Sequence, residues 1–131
     1  MTSPDIEIYA KNLNIHQIST WLSRVFSQVD LPELDQDKQN QHPAISGYVF
    51  YEKHSIPIVI TPKAAGKLFT SIWFKSDKTP WTDDEACALK LLESYDIEVR
   101  CSATGWTENE EQMSEQWLCI TRNEKRLTHW G

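Results

Sequence analysis

The stretch from Ser71 to Ser102, SIWFKSDKTPWTDDEACALKLLESYDIEVRCS, most constrains the fold. Leu68, Thr70, Ile72 and Phe74 alternate with Phe69, Ser71, Trp73 and Lys75. A period of two suits a strand with one mostly apolar face. Thr79-Pro80 ends it, because proline has no amide hydrogen to donate. Thr82-Asp83-Asp84-Glu85 then matches a capping box, with Thr82 as the cap and Glu85 reaching back to it. Asp83 and Asp84 suit the positive end of the helix dipole. That accounts for all three acids without invoking a metal or cation site. Trp81 is placed to staple onto Ala86, and Ala88, Leu91, Leu92 and Tyr95 recur at helical spacing. Ile97, Val99 and Cys101 then alternate with Glu98, Arg100 and Ser102. Strand, helix and strand of this length predict two parallel strands joined by a right-handed crossover.

The remainder of the chain supplies more strands and one more helix. Ile6, Ile8 and Ala10 alternate with polar or amphipathic neighbours. Asn14 with Gln17 is a second capping box, and Leu13 with Ile18 fits a staple. Ile15, Ile18, Leu22, Val25, Phe26 and Val29 form the apolar stripe, flanked by a half-buried Trp21. Residues 30–44 lose the apolar period and read as a flexible, solvated loop. Strands are expected at Ile45–Glu52 and Ile56–Thr61, and Pro57 marks the second as an edge, a strand start or a bulge. TPKAAGK (61–67) reads as a loop, and its Gly66-Lys67 lacks the spacing of a phosphate loop. ATGWTENEEQMSEQ (103–116) reads as an acidic loop carrying Trp106. Two final strands run through Trp117–Arg122 and Lys125–Trp130, joined by a turn at Asn123-Glu124. Arg122, Lys125 and Arg126 form a basic cluster there, read as a guard on an edge strand.

These elements predict an α+β fold. One mostly antiparallel sheet of six to seven strands carries two helices on one face. The 131 residues make a single domain (1–131), of a size that needs no disulfide or metal. The order strand, helix, strand, strand recurs, giving pseudo-repeat halves 5–61 and 68–130. Ile8-Tyr9-Ala10-Lys11 before the first helix parallels Ile72-Trp73-Phe74-Lys75 before the second. In element order alone this resembles the duplicated module of small effector-binding proteins of the GyrI-like type. The resemblance implies nothing about function.

Composition narrows the function classes. Thirteen basic against nineteen acidic residues give a net charge of −6, which argues against nucleic acid and anionic membrane as partners. The first twelve residues contain Asp5 and Glu7 and no long apolar run, so a secretory leader is not expected and the chain reads as cytoplasmic. Three cysteines, Cys87, Cys101 and Cys119, have no short spacing and read as buried free thiols. His16, His42, His54 and His129 make no zinc pattern, and GxSxG and GxGxxG are absent. A dyad of Cys101 or Cys119 with His129 is the one nucleophilic pairing open to neighbouring strands. No cofactor and no metal are expected.

Six tryptophans in a chain of this size are the compositional surplus. Trp73 and Trp117 on strands, with Trp106 in the acidic loop, can line an aromatic site for a small molecule or a partner's side chain. The first functional reading is therefore a non-catalytic binding or regulatory module for a partner protein or small ligand. An acidic inhibitor of a basic protein is its specific form. The alternatives are a small enzyme with a cleft between sheet and acidic loops, and a structural subunit of an assembly.

Overall fold

The computed structural model describes residues 5–31, 44–65, 68–76, 78–102 and 116–129. In chain order its elements are β1 (Ile6–Lys11), α1 (Ile15–Val25), β2 (Gln28–Asp30), β3 (Ile45–Tyr51), β4 (His54–Ala65), β5 (Phe69–Phe74), α2 (Asp84–Ser94), β6 (Val99–Ser102), β7 (Gln116–Ile120) and β8 (Lys125–His129). The eight strands form one sheet in the order β2-β3-β4-β5-β1-β6-β7-β8, antiparallel at every pairing. The α+β class stands, with eight strands among the described residues rather than six to seven. The added strand is β2: the helical stripe stops at Val25, and Val29 pairs with Val49 instead of extending α1. Of the loop expected at 30–44, Asp30 is in β2, and residues 32–43 lie outside the described residues.

Each helix starts where a side chain meets its first free amides. Asn14 accepts from Gln17 N at 2.9 Å and donates its own amide to Gln17 Oε1 at 3.0 Å, as its sequence predicts. At α2 the cap is Asp83, not Thr82: Asp83 Oδ1 accepts from Ala86 N at 2.8 Å. A carboxylate in that place satisfies a free amide and also meets the positive end of the helix dipole. The far end of α2 has no basic residue of its own. Arg122 supplies one, donating Nε to Leu92 O at 2.7 Å and Nη2 to Glu93 O at 3.4 Å. It therefore belongs to the turn after β7, where the Thr121 hydroxyl accepts from the amides of Asn123 and Glu124, and not to a strand.

Pro57 sits in the interior of the sheet, not at an edge. Its carbonyl accepts from Lys75 N at 2.8 Å, so its nitrogen also points towards β5, just past the last residue of that strand. The missing donor thus falls where the ladder ends. Further along β4 the pairing jumps from Thr61↔Ser71 to Ala65↔Phe69, and Lys63 in this bulge has φ 54°. Residues 61–65 therefore extend a strand where a loop was expected. Gly47 of β3 is required by crowding: a Cβ there would lie 2.4 Å from Asp30 O.

Both helices cover one face of the sheet. Ile6, Ile8 and Ala10 of β1, Ile72 and Phe74 of β5, and Val99 of β6 point into this core, with Ile18 and Leu22 from α1 and Leu91 and Leu92 from α2. Trp21 is fully buried there rather than half-buried. Its ring stacks on Trp81 (5.8 Å, 7° between planes) and meets the edge of Phe74, while Phe26 packs on Phe74 and Trp81. Trp81 thus belongs to an aromatic cluster that fastens the loop before α2 to α1. The Trp21 indole N–H has no hydrogen-bond partner among the described residues, so ring packing alone holds this side chain.

β5 and β6 run parallel, as the strand–helix–strand pattern predicts, but they are not neighbours, because β1 lies between them. The element order is now strand, helix and three strands, twice. The two meanders join the centre differently: β4, the last strand of its own, lies beside β5, whereas β6, the first of its own, lies beside β1.

Candidate functional site

The side chains of the sheet that point away from both helices form the candidate site. Strand alternation fixes their identity. With Ile6, Ile8 and Ala10 in the core, Glu7, Tyr9 and Lys11 face the other way. Register then brings Trp73 opposite Glu7, Ser71 opposite Tyr9, Arg100 beside Tyr9 on β6, and Cys119 beside Arg100 on β7. Trp117 lies two residues before Cys119, on the same face. The helix-free face therefore carries both strand tryptophans singled out in the sequence. Trp106 lies outside the described residues, as does Trp130. Trp73 and Trp117 do not act as one ring pair; residues of β1 stand between them.

Those β1 residues are what the composition did not reveal. The Glu7 carboxylate accepts from the Ser71 hydroxyl at 3.1 Å and from the Tyr9 hydroxyl at 3.5 Å. Among the described residues no cation pairs with it. Tyr9 meets Trp117 edge to face, centroids 5.2 Å apart and planes at 86°. Trp73 donates Nε1–H to Asp5 Oδ2 at 2.8 Å and carries the Lys75 ammonium over its ring at 4.9 Å. Burial pushes the Tyr9 phenol up from its ordinary range, and the charge and hydrogen bond of Glu7 add to this. Glu7, Tyr9, Trp73 and Trp117 are all half-buried.

A second group lies next to it on the same face. Arg100 Nε donates to Glu98 Oε2 at 2.6 Å, and its guanidinium lies 5.0 Å from the Phe69 ring centroid. Burial alone would raise the Glu98 carboxyl, but hydrogen bonds from Arg100 and the Cys119 thiol, with the charges of Arg100 and Lys11, hold it below its ordinary value. Cys119 is correspondingly raised, by burial first and then by Glu98. A nucleophilic cysteine needs the reverse, an electropositive setting that favours thiolate.

Asp84 locks β1 from the helix side. The β1–β6 ladder covers only Tyr9↔Arg100 and Ala10↔Val99. Where it stops, the first-turn carboxylate of α2 takes the place of a strand acceptor: Asp84 Oδ1 receives Glu7 N at 3.1 Å. Burial pushes the Asp84 carboxyl up to about 6; the Glu7 amide pulls the other way, and the charges of Asp5, Glu7 and Asp83 push it up further. Cys87 and Cys101 lie near it, buried. Burial and then Asp84 raise both, Cys101 to about 12 and Cys87 well above the usual thiol range. His129 pairs with Gln116, and Cys119 with Arg126, so register does not set His129 opposite either Cys119 or Cys101. Among the described residues no group of three or more His, Cys, Asp and Glu is placed to hold a metal ion. No described helix is long and apolar enough to cross a membrane.

In comparisons with protein-family models, curated proteins and solved structures, no match to this chain is found.

Proposed function

We propose that the protein is a non-catalytic binding module that engages a partner protein through the helix-free face of its sheet. The observation that carries this reading is the grouping of half-buried Tyr9, Trp73 and Trp117 around the Glu7 carboxylate on a face that neither helix covers. Rings that keep an edge exposed and a polar tip occupied are the side chains that anchor interfaces, since they bury much area at little entropic cost. The thiols support the same reading. All three are held protonated, and a protonated, buried thiol is a poor nucleophile.

The test is photo-crosslinking in cells from two positions. A benzophenone residue replaces Tyr48, exposed on the helix-free face, or Leu89, exposed on α2. Distinct adducts are expected from position 48, reduced when Trp117 is also changed to Ser, and not from position 89. Equal adduct patterns from the two positions would remove the proposal.

A further inference from the structure

The charges of the helix-free face are unevenly matched. Its basic groups are drawn to partners within the chain: Lys75 lies over Trp73, Arg100 pairs with Glu98, Lys11 adds its charge to the same Glu98, and Arg126 sits 3.6 Å from Glu124. The Glu7 carboxylate has two hydroxyl donors and, among the described residues, no cation. Asp5, Asp83 and Asp84 add negative charge around it, and their mutual repulsion is part of what raises Asp84. A half-buried carboxylate of this kind gains most from a donor that brings positive charge. The rings beside it suit the same donor, because a guanidinium or ammonium is attracted to an aromatic face. Lys75 over Trp73 shows that a cation fits against that indole.

We infer that the occupant of this face is a basic segment of a partner protein, which places an arginine or lysine side chain on Glu7 beside Tyr9 and Trp73. This deepens the binding-module reading and rests on it. A second copy of the chain is a poorer fit, because the cations of its own face are already engaged. A net charge of −6 steers a basic protein towards this surface from a distance and makes nucleic acid an unfavourable alternative.

The experiment is a two-dimensional ¹H–¹⁵N titration of the full chain with acetylated hexa-arginine amide at low salt, with hexa-lysine and hexa-glutamate in parallel. Shifts are expected at the indole N–H groups of Trp73 and Trp117 and at the amides of Glu7 and Ser71, with the basic peptides and not with hexa-glutamate. Glu7→Gln should weaken the arginine peptide roughly tenfold, the loss of one charge-assisted contact. Glu7→Asp should restore part of that loss, and Glu93→Gln on the exposed side of α2 should change nothing. The spectrum itself reports whether each variant is folded. Shifts spread evenly over all acidic segments, an equal effect of Glu93→Gln, or no localised shift at millimolar peptide would each overturn the inference. Crosslinks that persist from position 48 while Glu7→Gln has no effect would leave the binding-module reading standing and remove only the basic partner.

Discussion

On the helix side of β5, Ile72 and Phe74 are fully buried; on the other side of the same strand Trp73 is half-buried and Ser71 gives its hydroxyl to Glu7. The same contrast runs along β1, where Ile6, Ile8 and Ala10 alternate with Glu7 and Tyr9. The helix side is held by apolar area and ring stacking. The other side is held by hydroxyl–carboxylate bonds, Arg–Glu pairs and cations over rings. A core needs only volume and shape. On the proposed reading, the surface that keeps polar tips among aromatic rings serves binding more than stability. Changes on the two sides should therefore differ in kind.

The largest effect is expected on the helix side. Ile72→Ala should cost about 2–5 kcal/mol in urea unfolding, since the side chain is wholly buried and the cavity cannot close. A loss below about 1 kcal/mol would mean that the helix layer is not packed on β5 as described.

Next comes Asp84, at the seam between the two sides. Its pKa is raised to about 6 by the fold, against 3.8 unperturbed, so the folded state binds its proton more tightly than the unfolded chain. Its ionised form is a cost that is fully present above about pH 6 and is relieved as pH falls towards 4. Asp84→Asn keeps an acceptor for Glu7 N and removes the charge. It should stabilise the protein at pH 7 by on the order of 1–2 kcal/mol, allowing for solvent screening at this partly exposed carboxyl, and flatten the stability profile between pH 6 and 4.5. Glu98 works in the opposite sense, its contribution being lost as pH falls through its lowered pKa, so the window above 4.5 isolates Asp84. A variant less stable than the parent at pH 7 would show that the ionised carboxylate stabilises the α2–β1 junction.

The smallest stability effect is expected on the helix-free side. Trp117→Leu removes an edge-to-face contact with Tyr9 and should cost about 1 kcal/mol or less in thermal or urea unfolding. A loss as large as that of Ile72→Ala would make this face a second core and erase the contrast. A small loss with crosslinking abolished would sharpen it.

How far the sequence could be read follows from the range of each interaction. Asn14 with Gln17 predicts the start of α1, because a cap and its amide are three residues apart. At α2 the capping-box pattern places the cap at Thr82, whereas Asp83, one residue on, takes the amide of Ala86, because the backbone decides which of two adjacent side chains meets the free amides. A proline in a strand pattern predicts an edge, a strand start or a bulge; Pro57 instead lies inside the sheet, with its missing donor facing the end of β5. Trp73 and Trp117 were legible as unusual residues. Their link through Tyr9 and Glu7 was not, since it depends on β1 lying between β5 and β6.

The sequence by itself determined the strands and helices with clear periods, both helix starts to within a residue, the apolar faces of α1, α2, β1 and β6 and the negative charge of the whole. All of these depend on residues a few positions apart or on simple counting. Tertiary structure alone decided that β2 exists, that Arg122 caps α2, that Trp21 and Trp81 stack, and that Glu7 takes the hydroxyls of Ser71 and Tyr9 between rings brought from β5 and β7. Each of these joins groups distant in the chain, and strand order and register place them together.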